Sequence, residues 1–260
     1  MGSAKVQGPL WGRHPDVWSS TMEQKMRPLY LATIGALRPL AGKAFLDAGC
    51  GAGQAAADAA ASGASVSGID ASEPLLEIAR RRTPSGDFQV GDIEALPFGD
   101  WSFDAVTAFN AIQYATDPAA AVAELARVCR GGGSVAIGVW GDPARCETEA
   151  LFARLRTLAP PLPGTPAPLA CSDPGVVEEL LTKAGLSVQG GAEAAIPIEF
   201  ASLDQAWTAH TSAGPLQKVI DIAGPDAVRA VIESVLEADR KPDGALRQDN
   251  VMRYVVAAKP

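Results

Sequence analysis

Three glycines at alternate positions, Gly49, Gly51 and Gly53, separate an apolar run closing at Asp47 from the alanine-rich segment Gln54 to Ala61. Alanine favours helix, so the pattern predicts a strand that turns sharply into a helix. Such a turn brings bare backbone and a helix N-terminus against a ligand, because glycine lacks the Cβ that would hold it off. The spacing is G-x-G-x-G, not the G-x-G-x-x-G of dinucleotide sites. Asp47, two residues before the first glycine, would repel a phosphate and suits an ammonium group.

Two more acids follow. Asp70 closes a predicted strand from Ala64 to Ile69, and Asp92 follows another from Asp87 to Val90. A carboxylate at a strand end accepts hydrogen bonds from both hydroxyls of a ribose. Asp47, Asp70 and Asp92 recur at near-equal intervals, the length of successive strand–helix units. In an open parallel sheet all three project from one edge. Together they suit a cationic ligand that carries an adenosine.

An ordered series of segments continues the pattern: Leu46 to Gly53, Gly68 to Ser72, Gly91 to Phe98, Phe103 to Val106 and Glu124 to Gly133. From about Phe45 to Trp140 the chain resembles the class I S-adenosylmethionine-dependent methyltransferases, in their small-molecule branch. The resemblance implies that Asp47 and Gly49 hold the methionine amino end and that Gly51 lets backbone approach the cofactor. Asp70 would take the ribose hydroxyls with Ala71 and Ser72 beside it. Asp92 and Ile93 would flank the adenine, and the backbone of Asn110 would meet the methionyl part. Gly131 stands where the family usually has proline, a change of turn stiffness and not of chemistry.

The resemblance also implies the fold class: α/β, a Rossmann-like doubly wound sheet of seven strands, mostly parallel, with an antiparallel last strand and a helical lid. Residues 1–43 would form an N-terminal helical cover, 44–200 and 246–260 the core, and 201–245 a lid over the acceptor. Within the core, candidate strands are Lys43–Ala48, Ser65–Ile69, Asp87–Val90, Phe103–Ala108 and Ser134–Trp140. Glu73–Arg82 and Pro118–Cys129 read as helices. Before the core, Trp18 to Leu37 reads as helix interrupted at Pro28. After it, five prolines between Leu158 and Ala170 predict a stiff loop. Ser172-Asp173-Pro174 then reads as a helix start, with Gly185 as the stop. Leu186–Val188 and Ile196–Phe200 read as short strands, Leu203–Asp239 as mainly helix, and Asn250–Ala258 as the last strand.

The 260 residues suit one large domain with an appended lobe, and the 47% hydrophobic content is ordinary for a globular protein. A net charge of −8 repels polyanions, which excludes nucleic acid as substrate. The basic run Arg80-Arg81-Arg82 reads as the solvated end of a helix. Four scattered cysteines without a C-x-x-C read as buried free thiols in a reducing cytosol. With no long apolar run and no signal-peptide pattern, the expected setting is the cytoplasm, away from membranes, as monomer or homodimer.

Methyl transfer from a sulfonium requires acceptor, carbon and sulfur in line. The two histidines, His14 and His210, both fall in segments expected to cover the sheet edge and are candidate general bases. Trp18 and Tyr30 are candidate cofactor contacts through cation–π attraction. Gln113, Tyr114, Trp140 and Trp207 are candidate acceptor contacts. Phe109-Asn110-Ala111-Ile112 is not the Asn-Pro-Pro-aromatic motif of amino-group methylation, and no acidic-pair signature of metal-dependent catechol enzymes is present, so no metal is expected. The expected reaction is methylation of O, N or C on a small, secondary-metabolite-like acceptor, converting S-adenosylmethionine to S-adenosylhomocysteine. The alternatives are a cyclisation or decarboxylation using the same cofactor passively, and a nicotinamide-dependent oxidation, which the glycine spacing and Asp47 disfavour.

Overall fold

Successive side chains of a strand point to opposite faces, and here the alternation divides the core into layers. The computed structural model describes residues 2–160 and 168–260. Its strands are β1 (Ala44–Ala48), β2 (Ser65–Asp70), β3 (Asp87–Val90), β4 (Phe103–Phe109), β5 (Cys129–Trp140), β6 (Ser187–Ala195), β7 (Ile198–Phe200), β8 (Leu246–Gln248) and β9 (Val251–Ala258). Seven of them form one sheet in the order β3-β2-β1-β4-β5-β9-β6, and β9 runs antiparallel to both neighbours. Strand order reverses between β1 and β4, so the helix-forming turns diverge there and leave a crevice at the C-terminal edge.

The helices are α1 (Ala4–Trp11), α2 (Pro15–Ser20), α3 (Met22–Ala36), α4 (Gln54–Ala61), α5 (Glu73–Arg82), α6 (Pro118–Val128), α7 (Thr148–Leu158), α8 (Val176–Lys183), α9 (Leu203–Thr211), α10 (Gly214–Ala223) and α11 (Pro225–Ala238). Phe45 and Ala105 face α3, α4 and α5 in one buried layer, whereas their neighbours Leu46 and Val106 face α6 and α8 in another. Alanines let α4 lie close: a Cβ on Gly53, at the start of α4, would come 2.7 Å from the Cβ of Ala79 on α5. A third layer joins Met26, Leu29 and Tyr30 of α3 to Trp140, α7 and α9 to α11.

Several boundaries differ from the sequence reading. Pro28 lies inside α3, and the helical segment breaks instead at Thr21, whose φ of −118° and ψ of −84° are not helical. Leu186–Val188 is only the start of a nine-residue strand, because β9 pairs along all of β6. The strand expected over Ile196–Phe200 does not join the main sheet: β7 pairs with β8 in a separate two-stranded ribbon. Strand β5 starts at Cys129, five residues early, through a register shift against β4. The helix expected from Ser172 begins at Val176 after Gly175, in the left-handed region at φ 89°. Most of the proline-rich loop lies outside the described residues. Among the described residues, no helix is long and apolar enough to cross a membrane.

Leu46 is fully buried at the centre of β1. Replacing it by alanine should lower the unfolding free energy by about 2–5 kcal/mol, read from urea denaturation, with the secondary structure retained.

Candidate active site

The glycine turn leaves β1 with Gly49, Gly51 and Gly53 at φ of 77°, 55° and 81°, a region that L side chains rarely adopt. The turn is pinned to β2, since the Gly49 and Cys50 N–H groups both donate to the Ile69 carbonyl at 2.7 and 3.0 Å. Asp70 fixes it from the other side: its Oδ2 accepts the Gly51 N–H at 2.9 Å and its Oδ1 the Ser72 N–H at 2.8 Å. These bonds hold the turn open around a cavity of about 110 Å³.

Asp47, Gly49, Gly51, Asp70, Ala71, Asp92, Ile93, Asn110, Trp18 and Tyr30 all line that cavity, together with Tyr114, which the sequence reading assigned to the acceptor. Asn110 adopts φ 48°, a left-handed conformation that Asn tolerates better than most residues, and Gln113 Nε2 donates to its Oδ1 at 3.1 Å.

Four carboxylates border the cavity: Glu23, Asp47, Asp70 and Asp92. Asp47 and Glu23 are each 2% exposed. Burial raises the Asp47 pKa to about 7; the Thr107 hydroxyl, donating to its Oδ1 at 2.9 Å, opposes the rise, and the charges of Glu23 and Asp70 add to it. Burial also raises Glu23 and Asp70, opposed by Arg82 for the first and by backbone N–H groups for the second. Glu23 and Arg82 form the buried ion pair of the site at 2.7 Å, and Arg82 also donates to the Ala52 carbonyl at 2.7 Å. Arg82 is therefore not part of a solvated helix end: it reaches inward from α5 to the glycine turn. Asp92 is engaged as well, accepting the Ala4 N–H at 3.1 Å and the Glu94 N–H at 3.0 Å, so α1 lies directly over it. A Cβ on Gly8 of α1 would stand 2.3 Å from the Ala71 carbonyl oxygen, which shows how closely α1 covers the turn after β2.

Other expected residues fall elsewhere. Ser72 is buried behind the cavity wall, its hydroxyl against Gly12 and without a hydrogen-bond partner. Gln113 is 1% exposed and supports Asn110 from below instead of facing a ligand. Trp140 packs edge-on against Phe152 at 5.9 Å, and Trp207 stands under the Arg229 guanidinium at 5.9 Å, both away from the cavity. His14 is exposed at the start of α2. His210 is buried against Phe200 at 5.0 Å, and burial lowers its pKa to about 4. Among the described residues, neither imidazole lines the cavity at the glycine turn.

Sequence reasoning missed Glu23, Ser3, Gln7 and Cys50 as cavity residues. Glu23 left a signal: it shares the buried face of α3 with Met26 and Tyr30 at helical spacing, where a lone carboxylate is anomalous. Nothing in the sequence announces α1. Beyond it, sharing Ser3, Gln7 and Tyr114 with the first, lies a second cavity of about 370 Å³ between α1, α7 and α10. Among the described residues, no cluster of His, Cys, Asp or Glu could hold a metal ion.

Residues 46–137 match the family model described as a methyltransferase domain. A demethylmenaquinone methyltransferase of Renibacterium salmoninarum is 35% identical over 49% of this chain and 53% of its own length. The chain thus spans about half the length of the curated relatives it matches. Among solved structures, the YcgJ protein of Bacillus subtilis superposes with a TM-score of 0.63 at 22% identity, over 90% of this chain and 98% of that one. The [4+2]-cyclase SpnF does so with a TM-score of 0.58 at 21% identity, over 89% of this chain and 80% of its own, a likeness of fold.

Two outcomes follow from these buried charges. The Asp47 pKa of about 7 exceeds the usual carboxylate value near 4, so the folded protein holds a proton that the unfolded chain sheds in that window. Stability should fall as pH rises from about 4 to 7, and Asp47→Asn should flatten that slope in urea titrations at several pH values. Arg82→Met strands the Glu23 charge and should cost about 3–5 kcal/mol, with much of the loss recovered by adding Glu23→Gln.

Proposed function

We propose, from a core that is a class I S-adenosylmethionine-dependent methyltransferase domain, that the chain transfers a methyl group from this cofactor to O, N or C of a small acceptor. The observation that carries the reading is the first cavity's charge: four carboxylates face it, and Arg82 pairs with only one of them. Such a wall fits a ligand with an ammonium and a sulfonium, and rejects phosphates. At Gly51 the backbone is open to a ligand, since a Cβ there would meet nothing nearer than 3.6 Å. When bound, the cofactor supplies a methyl carbon activated by positive sulfur.

The chain's own residues bind, orient and exclude water. Asp47 and Gly49 hold the ammonium end, and the backbone at Gly51 admits close approach. Asp70 keeps lone pairs free for two ribose hydroxyls beside Ala71. Asp92 and Ile93 border the adenine, and Asn110 offers its carbonyl, displayed by the left-handed turn. Trp18 and Tyr30 border the cavity as candidate cation contacts, an attraction of about 0.5–2 kcal/mol where a ring face meets the charge. Tyr114 stands where the two cavities meet and would contact the acceptor. Burial raises its phenol pKa well above the usual value, so it orients the acceptor as a neutral hydroxyl and does not act as a base. Segment 1–43 serves as the cover and 201–245 as the lid over the acceptor.

Calorimetric titration should show S-adenosylhomocysteine binding and no NAD binding, with affinity rising from pH 5.5 to 8 as Asp47 ionises. Gly51→Val should reduce cofactor affinity by more than tenfold. With methyl-labelled cofactor and a panel of phenols, amines and enols, label should pass to at least one acceptor. NAD binding in place of S-adenosylhomocysteine would sink the proposal. An acceptor converted without release of S-adenosylhomocysteine would move it to passive use of the cofactor.

A further inference from the structure

The two adjoining cavities have opposite electrostatic character. Every charged residue lining the first is acidic: Glu23, Asp47, Asp70 and Asp92. Among the described residues, the only charged ones lining the second are Arg156 and Lys218, both cationic, on a chain whose net charge is −8. Arg156 also pairs with Glu149, which does not line the cavity, while Lys218 is exposed and has no ion pair among the described residues. Between these cations the wall is hydrocarbon, with Leu10, Phe152, Leu155, Leu216 and Val219. Its volume of about 370 Å³ lies in the range of small-molecule pockets.

The mouth is apolar too. Val6 of α1 is 58% exposed and Ile222 of α10 is 60% exposed, and both line this cavity. Exposed Val and Ile side chains at one opening extend the apolar wall to the surface, as a groove for an apolar ligand would. The charge steers in the same sense: the net charge repels an anion on average, and the cations on this wall attract it locally.

We infer that the second cavity is the acceptor site and takes a molecule with an extended apolar body and an anionic group, the body against α7 and α10 and the anion at Lys218 and Arg156. This rests on the methyltransferase reading for the word acceptor, although the ligand class follows from the cavity alone. The arrangement places the acceptor's other end against Tyr114 and Gln7, on the wall shared with the cofactor cavity. An acidic cavity for the cation and a basic, apolar one for the anion keep each ligand out of the other's place.

Decanoate, decanol and decyltrimethylammonium serve as probes, titrated below their critical micelle concentrations. Decanoate should bind at least fivefold more tightly than the ammonium probe. Lys218→Glu should weaken decanoate about fivefold and leave decanol unchanged. Val219→Asp should weaken decanoate and decanol about tenfold or more, with the thermal midpoint unchanged to show that the variant folds. Absence of decanoate binding, equal affinity for the ammonium probe, or unaltered binding by the Val219 variant would each overturn the inference. S-adenosylhomocysteine affinity is measured alongside and should be the same in wild type and both variants. Its absence in wild type would count against the methyltransferase reading alone, because the probe results do not depend on it.

Discussion

The pair of Glu23 and Arg82 ties the N-terminal helices to the glycine turn, and the geometry of the cofactor cavity depends on it. Arg82 leaves the last turn of α5, crosses to Glu23 at the start of α3 and donates to the Ala52 carbonyl within the turn. Three separate elements are thereby held around one empty volume. A buried pair of this kind gains little net stability over hydrocarbon, since desolvation offsets most of the attraction. Its yield here is positional. It keeps one carboxylate compensated while Asp47, Asp70 and Asp92 carry no ion pair among the described residues.

The fold was legible because its signals are local and repeated. Glycines after β1, acids at strand ends and alternating apolar runs are each readable within ten residues, and they recur in order. The strand-end acids were legible for the same reason: a polar residue closing an apolar run has few structural reasons to be there. What escaped was set by tertiary pairing. The full length of β6 depends on β9, some sixty residues on, and its own exposed, glycine-containing sequence carries little strand signal. Pro28 sits inside α3 because packing against the sheet outweighs one missing hydrogen bond. The histidines and Trp140 and Trp207 were placed near the site by segment, and segment membership does not say which way a side chain points. Ser72 and Gln113 sit one layer behind the wall, where each supports a residue that does face the cavity.

Division of charge organises the site more than any one residue does. On a chain with an acidic surface, a cationic ligand can be drawn almost anywhere, so the cavity carboxylates, two of them buried and two half-buried, discriminate by desolvation and shape. An anionic ligand faces the reverse problem and finds few attractive places. The same surface therefore sharpens the choice of one ligand and shields the site against misplacement of the other. Alanine-rich helices contribute by packing close to the sheet, which leaves cavity volume at the edge and not within the core.

Helix α1 bears on both cavities at once. Ser3 and Gln7 lie on the wall that the two share, while the Ala4 N–H is bonded to Asp92 and Gly8 rests on Ala71. Any ligand that shifts α1 from one side alters the wall seen from the other. Thermodynamic reciprocity then requires that each occupant change the other's binding constant by the same factor. An eight-residue helix thus becomes a balance beam between two equilibria, and the Asp92 contact is the weight that a newcomer on either side must move.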